Sequence, residues 1–152
     1  MRPKYRHWLS PSLWQLNGDL HLTDWLEEKG FEFDCLTDED LHIEGVELLN
    51  RYQCVLTGSH PEYSSEKMLA AYEAYQLQGG RWIYLGADDF YWVSEYYPDN
   101  PNIIEVRKGE AGTRSWTANP GEYNNALDGD FGGMWRARGR IPTNCCGLNL
   151  PA

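Results

Sequence analysis

One short stretch, Ser59-His60-Pro61-Glu62-Tyr63, places an imidazole, a carboxylate and a phenol within four positions. Imidazole and carboxylate are the groups that move protons near neutral pH, and nitrogen and oxygen donors at this density also suit a metal ion. The same residues also make a capped turn, in which Pro61 fixes a bend and Glu62 sits near the start of a helix. Both readings stand at this point. Farther on, Asp88 and Asp89 are either a cation site or solvated loop acids, and Tyr91 lies between Phe90 and Trp92. Glu105 interrupts the apolar run Ile103-Ile104-Glu105-Val106, and an acid buried among strand residues has to be paired or ligated. Arg107, two positions on and therefore on the same strand face, is the structural partner. No Gly-x-Ser-x-Gly occurs, so a nucleophile elbow is not supported. Ser59 beside His60 is a poor hydrolytic pair, because neighbours in a loop seldom face one another. Water activated by a metal requires no protein nucleophile and suits these residues better.

These side chains need elements to position them. Leu20, Leu22, Trp25 and Leu26 mark an amphipathic helix that starts near Asp19 and stops at Gly30. Phe31-Glu32-Phe33-Asp34-Cys35-Leu36 alternates with period two and predicts a strand. Thr37 or Asp38 caps a second helix, with Leu41, Val46, Leu48 and Leu49 as its apolar face and His42 partly exposed, as is His21 on the first. Gln53-Cys54-Val55-Leu56-Thr57 predicts a buried strand. Ser64 or Ser65 caps a helix carrying Met68, Leu69, Tyr72 and Tyr75, which Gly79-Gly80 ends. Trp82-Ile83-Tyr84-Leu85, Phe90-Tyr91-Trp92-Val93 and Ile103-Ile104-Glu105-Val106 predict further strands. This alternation argues for an α/β domain with a parallel sheet and helices on both faces. Ligands of such sheets bind at the carboxyl ends of the strands, here the loops holding Thr37 to Asp40, Gly58 to Tyr63, and Gly86 to Asp89. Arg136, Arg138 and Arg140 alternate as on a strand and are expected to form surface ion pairs.

Composition bounds the function. The 152 residues suit a single domain, 1–152, and 23 acids against 13 Lys and Arg give a net charge of −10. Such a surface repels phosphate backbones, so nucleic acid is excluded as a partner. No apolar run is long enough to span a membrane. Cys35 and Cys54 lie in apolar runs and are expected to be buried thiols, while adjacent Cys145 and Cys146 have poor spacing for zinc. The amino-terminal residues show no signal peptide, and free thiols in a reducing cytoplasm are the expectation. Aromatic residues make up 14% of the chain, which suggests a packed domain with an aromatic-lined pocket or interface.

A longer pattern carries a resemblance. Arg2-Pro3-Lys4-Tyr5, Thr37-Asp38-Glu39-Asp40-Leu41-His42 and Leu56-Thr57-Gly58-Ser59-His60-Pro61-Glu62-Tyr63 are followed by Gly79-Gly80-Arg81, Tyr84-Leu85-Gly86 and Phe90-Tyr91-Trp92. Glu105-Val106-Arg107, Gly112-Thr113-Arg114, Pro120-Gly121-Glu122-Tyr123 and Gly132-Gly133-Met134-Trp135-Arg136 complete the series. In this order they resemble the C-terminal region of the N,N-dimethylformamidase large (beta) subunit family. The resemblance implies a three-layer α/β sandwich with a mostly parallel sheet, similar to class I glutamine amidotransferases. It also implies hydrolysis of a small N-substituted amide to an amine and a carboxylate. The family's mononuclear iron, held by two tyrosines and a glutamate, carries over to Tyr63, Tyr91 and Glu105, with His60 or Glu62 moving protons to the amine. The resemblance leaves a second placement for the family's first tyrosine, near Phe33, where this chain has Phe. A separate small subunit, or a homo-oligomer, is the implied partner. Two departures are Gly86-Ala87-Asp88-Asp89, in place of a Gly-Gly-Asn-Gly-like loop, and Cys145-Cys146-Gly147-Leu148, in place of a family strand. The chain's ending there leads us to expect a truncated piece of a longer subunit. The alternative function is a non-catalytic domain with a structural or interaction role.

Overall fold

Two capping boxes set the helices that carry the core. Thr37 accepts a hydrogen bond from Asp40 N at 3.1 Å, and the Asp40 carboxylate accepts from Thr37 N at 3.1 Å, which starts α2, Asp38–Glu44. Gly45, at φ 64, turns the chain into the short α3, Val46–Leu49. Ser65 starts α4, Glu66–Leu77, by accepting from Met68 N at 3.3 Å. Of the paired options in the sequence, Thr37 and Ser65 are therefore the caps. These helices bury Leu41, Leu48, Leu49, Met68, Leu69, Ala71, Tyr72 and Tyr75, and Phe90, Val93 and Trp135 close the cluster from the other side.

The computed structural model describes residues 16–86, 90–108 and 119–140. Strand β1, Cys54–Leu56, pairs in parallel with β3, Arg81–Ile83, in the register Val55 opposite Trp82, with α4 as the connection between them. Strand β2, Tyr63–Ser64, pairs in parallel with β4, Trp92–Val93. A hairpin of β5, Glu95–Tyr97, and β6, Asn100–Glu105, is antiparallel and places Glu95 opposite Glu105. The described residues thus form three two-stranded sheets, two of them parallel. No helix among them is long and apolar enough to cross a membrane.

Three expectations are corrected. Residues 31–36 form no strand: they are exposed and pair with no strand among the described residues. Cys35 is accordingly exposed and Cys54 only half-buried. The arginine run forms a 3-10 helix, Trp135–Arg138, instead of a strand. Its ion pairs are present: Arg138 binds Glu95 at 3.1 Å, and Arg140 binds Glu66 and Glu73. His42 is also more engaged than a surface residue, with Nδ1 2.8 Å from Ser65 Oγ and its ring stacked 4.0 Å from Tyr96. Asp88, Asp89, Cys145 and Cys146 lie outside the described residues.

Candidate functional site

The His60 loop leaves β1 under tight control. Thr57 N donates to Ile83 O at 3.0 Å, and Thr57 Oγ1 accepts from Leu85 N at 2.9 Å, so the loop begins at a fixed point beside β3. Asp19, on helix α1 (Leu16–Lys29), accepts from Ser59 N at 2.6 Å. Gly86 lies so close to Pro61 that a β-carbon there would strike the proline ring. Two of the three loops that the strand-end rule singled out therefore meet, at Pro61 and Gly86.

At the far end of the loop, two successive carbonyls gather the next strand. Pro61 O accepts from Phe90 N at 3.0 Å, and Glu62 O accepts from both Tyr91 N at 2.8 Å and Trp92 N at 2.9 Å. Phe90 has φ 41, a left-handed conformation rare for a bulky side chain, and it holds this turn because its ring is buried against Tyr72 and Tyr84. The Glu62 side chain is then fixed from two directions. Its Oε2 lies 3.0 Å from His60 Nε2, and its Oε1 accepts from the buried indole of Trp92 at 2.8 Å. The His60 and Glu62 side chains are 15% and 21% exposed. With Nε2 donating to the carboxylate, the neutral imidazole carries its basic lone pair on Nδ1. The adjacent Ser59 hydroxyl oxygen is buried without a hydrogen-bond partner among the described residues.

Tyr63 follows directly. Its hydroxyl accepts from Lys108 Nζ at 2.6 Å, and the ammonium stands 5.0 Å from the Tyr63 ring and 4.7 Å from the Trp92 ring. Tyr91 packs edge-on against Trp92, at 4.9 Å between ring centres. Of the five residues singled out in the sequence, His60, Glu62, Tyr63 and Tyr91 thus share one loop and its strand partner.

Glu105 is held elsewhere. Its Oε1 accepts from Arg107 Nε at 2.6 Å and from Ala126 N at 2.9 Å, and its Oε2 accepts from Leu127 N at 3.1 Å. Burial opposes its charge, yet the Ala126, Arg107 and Leu127 donors together outweigh burial and hold its carboxyl below the usual range. The segment is pinned further by Gly133 N donating to Arg107 O at 2.5 Å, and by Gly132, whose missing β-carbon makes room for Arg107. Among the described residues, no three His, Cys, Asp or Glu side chains are grouped to hold a metal ion.

Comparison with known proteins shows the family of the chain. Residues 1–151 match the family described as N,N-dimethylformamidase beta subunit-like, C-terminal. The chain belongs to this family. It is 46% identical over 150 residues to an N,N-dimethylformamidase beta subunit of Alcaligenes sp and 45% identical over 150 residues to that of Paracoccus aminophilus. Each match covers 99% of this chain and 19% of the relative, so the chain spans about a fifth of their length.

The donor types that the dimethylformamidase resemblance implies suit iron, since phenolate and carboxylate oxygens are hard ligands. Their arrangement fits only in part. Tyr63 is half-exposed with its oxygen already facing a positive charge, and Tyr91 immediately precedes the adjoining strand β4. Glu105, with three donors on its two oxygens, fits as a brace and would have to give them up to reach a metal. The sequence reading missed Lys108, Trp92 as an anchor for Glu62, and Asp19. Only Trp92 had a local signal, because a buried indole N–H requires an acceptor.

Proposed function

We propose that this chain carries the proton-transfer loop of an amide hydrolase of the N,N-dimethylformamidase type, cleaving a small N-substituted amide into an amine and a carboxylate. The observation that carries the reading is the His60–Glu62 pair, 3.0 Å apart and anchored by Trp92, in a chain that matches N,N-dimethylformamidase beta subunits. In this reading Tyr63 and Tyr91 are the phenol ligands of an iron ion, and Glu105 is the family's carboxylate only if its brace opens. Bound iron would supply Lewis acidity for the carbonyl and for water.

The chain's own residues do the rest. Glu62, held by Trp92 Nε1, orients the His60 ring, and His60 accepts a proton at Nδ1 and returns it to the departing amine nitrogen. Lys108 keeps positive charge beside the Tyr63 oxygen. A three-layer sandwich around the parallel pairs, a separate small subunit and a cytoplasmic setting belong to the same proposal.

The purified chain, loaded aerobically with ferric iron, is expected to develop a phenolate-to-iron charge-transfer absorption and to release amine from dimethylformamide. Colourless, iron-free protein after loading would overturn the metal-dependent reading. The second reading, a non-catalytic piece of a larger subunit, draws on apolar side chains left uncovered, including Phe31, Ile83 and Ile104. A folded chain with neither iron nor turnover is its expected signature.

A further inference from the structure

We infer that Lys108 and Tyr63 together form a binding site for a small carboxylate, roofed by the Trp92 ring. The lysine has three N–H donors, and one of them goes to the Tyr63 hydroxyl oxygen at 2.6 Å. No carboxylate among the described residues lies within ion-pair distance of it. Arg107, Arg138 and Arg140 each pair with one or more carboxylates, whereas Lys108, like Lys67, Arg81 and Arg136, has no such pair among the described residues. Two aromatic faces, 4.7 and 5.0 Å from the ammonium, exclude part of its water and strengthen its attraction for an anion.

The tyrosine completes the site. Because its oxygen accepts from Lys108, its own O–H is directed away from the lysine and remains a donor. Two donors of different charge, side by side, match the two oxygens of one carboxylate. The Glu62 carboxylate, on the same loop as Tyr63, has its oxygens engaged by His60 and Trp92. The role of the site rests on the hydrolase reading above: cleavage of an amide leaves a carboxylate, which the Lys108 ammonium would hold when Tyr63 has given up its proton to bind iron, while in the metal-free chain the Tyr63 O–H donates beside it. The binding itself follows from the geometry alone.

The test is a titration of the isotope-labelled chain, without added metal, followed through the indole N–H resonance of Trp92. Sodium formate is compared with sodium chloride at equal ionic strength. Formate is expected to shift that resonance saturably and chloride is not. Lys108→Met is expected to weaken formate binding by ~tenfold or more, and Lys108→Arg to retain it. Tyr63→Phe, which keeps the ring and removes the donor, provides a second weakened variant should Lys108→Met fail to fold. An equal response to chloride, or unchanged formate affinity in a folded Lys108→Met or Tyr63→Phe, would overturn the inference. The titration needs neither iron nor turnover, so its failure leaves the hydrolase reading to the iron-loading test.

Discussion

Two acid–base pairs in this chain look alike in sequence and differ in kind. His60 with Glu62 and Glu105 with Arg107 are each separated by one residue, and each pair closes, at 3.0 and 2.6 Å. Around Glu105, two backbone N–H groups join the arginine, and all the donors serve one charge state, the carboxylate. Around Glu62, one partner is a fixed indole and the other is an imidazole that can itself gain or lose a proton. The first arrangement ties β6 to the loop at residues 126–127. The second leaves a titratable group at the end of a strand, beside a phenol and an ammonium. A carboxylate surrounded by permanent donors braces a fold, whereas one that shares a proton with an imidazole is equipped for chemistry.

Mutation should separate the pairs, and the largest effect is expected at the brace. Glu105→Ala leaves Arg107 and two backbone N–H groups without their acceptor and should cost on the order of 3 kcal/mol, read as a lowered denaturation midpoint. A change within experimental error would show that the brace is ornamental.

A pH profile sharpens the contrast from the opposite strand. Glu95 faces Glu105 in the hairpin register, but burial, followed by the neighbouring charge of Asp128, pushes its carboxyl up to about 7 despite Arg138. The folded state therefore holds this proton more tightly than the unfolded state. Its favourable contribution is complete below the ordinary carboxylate range and is lost as pH rises through about 7. Glu105, held below the usual range, contributes with the opposite sign: its stabilisation is present above that range and fades as acid protonates the folded chain. Glu95→Gln should flatten the fall between pH 4.5 and about 7, worth on the order of 2 kcal/mol, while leaving the acid limb in place. Denaturation midpoints across that range for both proteins check it.

The smallest effect on stability is expected at Glu62. Glu62→Gln keeps an oxygen for Trp92 Nε1 and should change stability by no more than about 1 kcal/mol. It should nevertheless abolish amide turnover, because the amide cannot stabilise a protonated His60. A Glu62→Gln chain that is as active as the wild type would erase the distinction between the two pairs.

Sequence made some of this legible. The α4 helix followed from Ser65 and the spacing of Met68, Leu69, Tyr72 and Tyr75, and the β1–β3 pair came from short apolar runs, whereas β2 lies in Tyr63-Ser64, which the sequence reading took as loop and cap. Residues 31–36 alternate as a strand should, but alternation specifies a face and not a partner, and no strand among the described residues pairs with them. Strand β5 was missed because its Glu95-Tyr96-Tyr97 lacks an apolar run, although Pro98-Asp99 marks the turn that follows it. The His60 loop was legible because its residues are contiguous. Lys108 was not, since it reaches Tyr63 across 45 positions, a closeness that only the folded chain creates.

Iron content tests the central claim, that the loop ending in Tyr63 is the functional one, most directly. Wild-type chain and Tyr63→Phe, loaded in parallel and measured for bound iron and charge-transfer absorption, differ by a single hydroxyl. We expect stoichiometric iron and colour in the wild type, with both lost in a variant that stays folded. Equal iron and an unchanged band in Tyr63→Phe would contradict the account and remove this loop from the site.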